Sequence, residues 1–303
     1  MTSFKIFASL VMAATIVSTL SAETRCPGNV ASLPFHTVNR HQMIVPVSIN
    51  HAGPFSFLLD TGTQMTMVDP ALAAALHLET TGKAEVVSVG MEASASYAQA
   101  GLIEAGSHSV ANQKVLVYDL ANLQATGLNI QGVLGEDFLE QFDLLIDNAH
   151  SLVCLDDAGA MRAEVKGQHV PLLAPTATDD RTVPNSLIVS VSLSDGMRPV
   201  RLKLDSGANV SFLYSVSDYM ALGAFRGMSL QGGGANGARR GFAALPAQNM
   251  KIGSVEISRV SFVTMTGSHR DSRTSSFDGL LSMGLFRRVF INHAEHFAVL
   301  DPL

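Results

Sequence analysis

Phe57-Leu58-Leu59-Asp60-Thr61-Gly62-Thr63 decides how the chain is read, together with its echo Leu202-Lys203-Leu204-Asp205-Ser206-Gly207-Ala208. Each stretch has the pattern of a short apolar strand running into an aspartate, a hydroxyl residue and a glycine. One Asp-Thr/Ser-Gly carries little information. Two copies, each behind an apolar run, imply two similar half-molecules that each bring one carboxylate to a shared site.

The flanking residues extend the echo. Residues 43–49 are apolar and β-rich, and Asn50 to Pro54 supply turn residues, so a hairpin delivers Asp60. Residues 186–193, a Ser194-Asp195-Gly196 turn and residues 200–205 repeat that order into Asp205. Gly106 follows Asp60 by 46 residues, and Gly253 follows Asp205 by 48. Gly132 then follows Gly106 by 26 residues, as Gly279 follows Gly253. Three landmarks in register predict a duplicated, mostly β fold with an approximate two-fold axis. Asp69-Pro70 opens a predicted helix over 71–78, because aspartate caps a helix and proline suits its first position. The second half has no clear counterpart of that helix. A further short helical piece is expected after Gly135, ending near Glu140.

The 303 residues suffice for two lobes. The expected division is a signal peptide over 1–22, a first lobe over 23–165 and a second over 166–303, with linker composition densest at 174–184. Residues 23–41 read as an arm ahead of the first strand. Residues 7–20 are apolar behind Lys5, and Ser21-Ala22 precede polar Glu23, the pattern of a secretory signal; the alternative is a short amino-terminal membrane anchor, for which the run is short. The mature protein is therefore expected to be secreted or periplasmic, with no membrane insertion once the signal is removed. Cys26 and Cys154 can form one disulfide in such a compartment, or stand as two separate thiols.

Composition removes several classes of function. The net charge is −6, no basic patch stands out and tryptophan is absent, which argues against nucleic acid and anionic membrane surfaces. His293 and His296 have no carboxylate or cysteine partner at ligand spacing, so no metal is expected, and no cofactor.

With these residues assembled, the chain resembles the pepsin and retropepsin aspartic proteases. The first half is most similar to the bacterial retropepsin-like kind, through Leu59-Asp60-Thr61-Gly62, Gly132-Val133-Leu134-Gly135-Glu136-Asp137-Phe138-Leu139 and Phe142-Asp143-Leu144-Leu145-Ile146-Asp147. The resemblance implies acid-protease-like β-barrel lobes related by pseudo-two-fold symmetry, two in one chain, active as a monomer on a peptide or protein substrate. Asp60 and Asp205 would be catalytic, sharing one proton, because two adjacent carboxylates cannot both ionise cheaply. One activates a water as general base and the other polarises the scissile carbonyl. Gly62 and Gly207 are expected to turn the backbone tightly, and Thr61 and Ser206 to send their hydroxyls to the other lobe's backbone. Thr63 can hydrogen-bond Asp60, whereas Ala208 has no side-chain donor for Asp205, so the two acids should be inequivalent, with Asp60 the more negative.

The family's flap hairpin falls near Gly90 in the first half and at Gly232, Gly233 and Gly234 in the second. Asp137, Asp143 and Asp147 are expected to be capping or surface groups. One departure stands out: Leu134-Gly135 in the first half becomes Leu281-Ser282 in the second. That serine motivates an alternative, a non-catalytic peptide-binding pseudo-protease on the same scaffold. A dimer in which each half pairs with its own copy is a third reading.

Overall fold

The computed structural model describes residues 25–88, 91–174, 187–193, 198–214, 229–233, 239–265 and 277–303. The expected signal peptide over 1–22 lies outside them. The described chain is mostly β, with short helices at Pro70–Ala75, Ala121–Gln124, Glu136–Leu139 and Ala160–Glu164.

The strand that ends at Asp60 is built as its sequence demands. Gln42–Ile49 pairs antiparallel with Ala52–Leu59 across Asn50 and His51, both at positive φ. Two such residues give the loop a twist matching that of the strands. Ala52–Leu59 then runs parallel to Gly132–Leu134, with Phe57 opposite Gly132. A Cβ on Gly132 would lie 2.1 Å from the Phe57 ring, so only glycine lets that ring cross the neighbouring strand.

Val200–Asp205 repeats this geometry, running parallel to Gly279–Ser282 with Leu202 opposite Gly279. Here the added Cβ would meet the Phe212 carbonyl oxygen at 1.9 Å. Gly106 and Gly253, the other glycines in register, both close hairpins at left-handed φ of 61° and 59°. A side chain is strained there.

The pairing order follows. In one sheet Gln42–Ile49, Ala52–Leu59, Gly132–Leu134, Met67–Val68, His108–Val117, Met91–Ala105 and Thr80–Ser88 are successive neighbours. In another, Ile188–Val191, Val200–Asp205, Gly279–Ser282, Ser211–Leu213, Phe262–Met265, Arg239–Ala244 and Ser229–Gly233 are successive neighbours. Gln248–Ile252 and Val255–Val260 form a separate hairpin, joined to the second sheet side by a bridge between Ser192 and Lys251.

A third sheet draws on both halves of the chain. Its order is Ser32–Leu33, Leu152–Asp156, Asp143–Asp147, Phe286–Asn292, Phe297–Pro302 and Val170–Pro171. At its centre Leu144 lies opposite Ile291, and Asp147 opposite Arg288. One continuous apolar core includes Leu59, Phe138 and Ile146 from the first half and Leu204, Leu281 and Phe286 from the second. Burial on that scale is the main stabilising term. A disulfide joins Cys26 to Cys154, in the strand beside Ser32–Leu33, and so ties the amino-terminal segment to the shared sheet.

The structure adjusts several expectations. Residues 32–33 and 36–38 are strands rather than a plain arm, because each finds a sheet edge on which to pair. The helix spans Pro70–Ala75, shorter than 71–78, and His77 just beyond it has φ 53°, a left-handed stop. Asp69 caps it by accepting a hydrogen bond from the Ala71 N–H. Asp143 is buried against Asn292 rather than on the surface; Asp147, also buried, caps its turn by accepting from the His150 N–H, and Asp137 accepts from the Phe138 and Thr66 N–H groups. Residues 215–228, where a second-half counterpart of the helix would fall, lie outside the described residues.

Candidate active site

Asp60 and Asp205 each stand at the end of a central strand, and the loops behind them interlock. The Thr61 N–H donates to Ser206 Oγ at 3.0 Å, and Ser206 Oγ donates to the Leu59 carbonyl at 2.9 Å. Reciprocally, the Ser206 N–H donates to Thr61 Oγ1 at 3.1 Å, and Thr61 Oγ1 donates to the Leu204 carbonyl at 3.0 Å. Each hydroxyl donates once and accepts once, and both residues are buried. The two hydroxyls and the four backbone groups they bond are thereby all partnered, the condition for a rigid buried network.

The glycines bring the acids together for a reason the sequence did not supply. Neither Gly62 nor Gly207 adopts a left-handed backbone. Each is required by close approach instead. A Cβ on Gly62 would lie 2.5 Å from the Asp205 carboxyl carbon, and a Cβ on Gly207 would lie 2.5 Å from that of Asp60. Each glycine thus faces the other loop's carboxylate.

The two carboxyls have different surroundings. Asp60 accepts from the Gly62 N–H and from Thr63 Oγ1, both at 2.8 Å. Asp205 accepts from the Ala208 N–H at 2.8 Å. Burial, reinforced by the Asp60 carboxylate beside it, pushes the Asp205 carboxyl up to about 8, against a smaller pull downwards from Lys203.

Two residues that sequence reading passed over complete the loops. Lys203 Nζ donates to the Gly62 carbonyl at 2.7 Å, and Gln42 Nε2 donates to the Gly207 carbonyl at 2.8 Å. A charged residue inside an apolar run was the visible signal for Lys203. Gln42 carried none, because its partner is remote in sequence.

Ser282 takes the place of Gly135 without a clash. In the first half the Gly135 N–H donates to Thr66 Oγ1, and in the second the Ser282 N–H donates to Ser211 Oγ. The Ser282 hydroxyl donates to the Ala208 carbonyl at 2.6 Å and accepts from the Gly284 N–H at 3.3 Å, capping the short 3₁₀ turn Met283–Leu285. The extra side chain is buried and satisfied in both directions.

Gly232 and Gly233 lie on a hairpin arm, paired with Arg240 and Arg239. The matching hairpin of the first half pairs Ser88 with Met91 at its end. Gly90 and Gly234 lie outside the described residues.

Among the described residues no group of three or more histidines, cysteines, aspartates or glutamates could hold a metal ion. His293 does meet a carboxylate, from across the chain: Nε2 lies 2.7 Å from Glu136 Oε1 and Nδ1 lies 2.6 Å from the Phe142 carbonyl. Burial alone would lower the imidazole's pKa. Glu136, the Phe142 carbonyl and Asp143 outweigh it and hold His293 above its ordinary value. No described helix is long and apolar enough to cross a membrane.

The mostly β fold is consistent with that of an aspartic protease. Residues 45–138 match the family model described as aspartyl protease. The matched segment includes Asp60, Thr61, Gly62 and Gly135 and ends before the half that carries Asp205. No curated protein matches the chain.

Proposed function

We propose that the protein is an aspartic endopeptidase in which Asp60 and Asp205 activate one water between them. The observation that carries this reading is the reciprocal contact of Gly62 with the Asp205 carboxyl and Gly207 with that of Asp60. Two acids held that close share a proton rather than ionise together. Asp60, with two donors, holds the negative charge and accepts a proton from the water. Asp205 keeps the shared proton and hydrogen-bonds the substrate carbonyl. Attack gives a tetrahedral intermediate, and proton return to the amine releases the products, so no covalent enzyme intermediate is required.

The matching strand orders around the two aspartates support a duplicated pair of β-barrel lobes, over 23–165 and 166–303, related by a pseudo-two-fold axis. Both acids come from one chain, which fits an active monomer. A disulfide suits an oxidising compartment, in keeping with a secreted or periplasmic protein whose signal is removed. Ser282 is accommodated with its hydrogen bonds satisfied, which favours the catalytic reading over a binding-only one.

The test is incubation of the purified protein with a mixed peptide library from acid to neutral pH, the cuts read by mass spectrometry. Cleavage that disappears in Asp60→Asn and Asp205→Asn is expected. Cleavage that survives in either variant would overturn the reading.

A further inference from the structure

We propose that Lys203 is a positioning residue of the aspartate pair: its buried ammonium holds the loop that carries Asp60 and places a fixed positive charge beside the two carboxyls. This rests on the endopeptidase reading for its consequence, though not for its geometry.

Lys203 is 3% exposed. Removing an ammonium from water costs several kcal/mol unless it gains partners of opposite charge or strong acceptors. Its hydrogen-bond acceptor is the Gly62 carbonyl at 2.7 Å, in the loop of the opposite half. Lys203 and Asp205 are two apart on Val200–Asp205, so they share one face of the strand. Asp60 and Lys203 are the charged groups that act on Asp205. The strand neighbours of Lys203, Ile188 and Leu280, are uncharged. Arg201 lies further back on the strand, its guanidinium on the Ala174 carbonyl and its N–H on Asp278.

The other half supplies a control. The residue in the same register beside Asp60 is Leu58, opposite Val133 as Lys203 is opposite Leu280, and it is packed in an apolar cluster. The Gly207 carbonyl is held by Gln42 instead, a neutral amide from a different strand. Both loop carbonyls therefore have a donor from the opposite half, and only one of those donors is charged. A structural clamp needs no charge, as Gln42 demonstrates.

The charge has a chemical consequence. With one shared proton the pair carries a single negative charge, and Lys203 neutralises it. A nearby cation favours the ionised forms and lowers both apparent proton-loss steps of the pair. Without it, the bell-shaped profile should move to higher pH on both limbs.

The experiment compares Lys203→Gln, which keeps a donor and removes the charge, with Lys203→Arg, which keeps the charge. Lys203→Leu copies the other half's solution and serves if a polar variant fails to fold. In Lys203→Gln or Lys203→Leu both limbs of the kcat/KM profile are expected to rise by about one pH unit, roughly a tenfold loss on the acid limb. Lys203→Arg should restore the wild-type positions. A uniform loss of rate with both limbs unmoved would leave Lys203 a structural clamp and overturn the proposal. Carbon-13 NMR titration of the two aspartates gives a readout independent of cleavage. An unmoved titration in Lys203→Gln or Lys203→Leu refutes the role of Lys203. A shifted titration in a protein that cleaves nothing refutes the endopeptidase reading alone.

Discussion

The half around Asp60 and the half around Asp205 use the same strand pairings and different chemistry. Phe57 faces Gly132 as Leu202 faces Gly279, and the Gly135 and Ser282 N–H groups both reach a hydroxyl six residues after the aspartate. Yet Thr63 stands where Ala208 does, Gly135 where Ser282 does and Leu58 where Lys203 does. What persists is the accounting of donors and acceptors at the loops. What varies is the charge and hydrogen bonding offered to each carboxyl. That difference gives a shared proton a preferred seat, which two equivalent acids would not.

The largest expected effect comes from removing either acid. Asp60→Asn and Asp205→Asn should each lower kcat/KM by roughly a thousandfold or more. The two should part in their stability. Folding raises the Asp205 carboxyl from 3.8 to about 8, so from about pH 4 upward the unfolded chain loses a proton that the folded chain keeps. Asp205 therefore costs stability that grows across that window. Asp205→Asn escapes the cost, and its Tm advantage over wild type should widen from pH 4 to pH 8. A constant difference in scanning calorimetry would contradict the assignment of the proton to Asp205.

Next in size is the interlock between the loops. Ser206→Ala leaves the Thr61 N–H and the Leu59 carbonyl unpartnered in a buried site. Urea unfolding should show a loss of about 2–4 kcal/mol. A loss below about 1 kcal/mol would mean that the halves are held by their apolar contact and the shared sheet, with the hydroxyls incidental.

The sequence made the local parts of this comparison readable and hid the rest for a physical reason. Asp-Thr/Ser-Gly loops, the glycine turns at 106 and 253 and the glycine crossings at 132 and 279 each depend on backbone conformation or close approach, which only certain residues permit. They leave a mark at one position. The shared sheet, the Glu136–His293 pair and the Gln42 clamp depend on residues far apart in the chain, none unusual alone. Ser282 was visible as a departure, but its fit depends on where the Ala208 carbonyl points. Gly62 and Gly207 were legible as turn residues beside the carboxylates, while the further cause, the close approach of the other loop's carboxyl, was not.

Gly135 and Ser282 allow a sharper test of how far the halves are interchangeable. A Cβ on Gly135 would lie 2.7 Å from the Met65 carbonyl carbon and 2.8 Å from the Thr66 nitrogen, backbone that cannot easily shift. Gly135→Ala should cost about 2 kcal/mol or more. Ser282→Ala loses one satisfied hydroxyl and a cap, and should cost about 1 kcal/mol. Equal costs would mean that the two positions are equally tight and that the serine reflects no local relief.

The smallest effect belongs to Thr63→Ala, which gives the first loop the residue of the second. Asp60 Oδ2 loses a hydroxyl donor at 2.8 Å and keeps the Gly62 N–H on Oδ1. Donors to a carboxylate favour its ionised form, so their removal raises the pH at which the pair first ionises. Thr63 is only half-buried, and solvent replaces part of what is lost. The acid limb of kcat/KM should therefore rise by about half a pH unit, less than for loss of the Lys203 charge. If that limb stays in place, the difference between the acids arises from Lys203 and the burial of Asp205, and the hydroxyl at 63 serves the loop's shape. If it moves as far as in Lys203→Gln, the hydrogen bond and the charge are of equal weight, and the neutral half contributes as much to the asymmetry as the charged one.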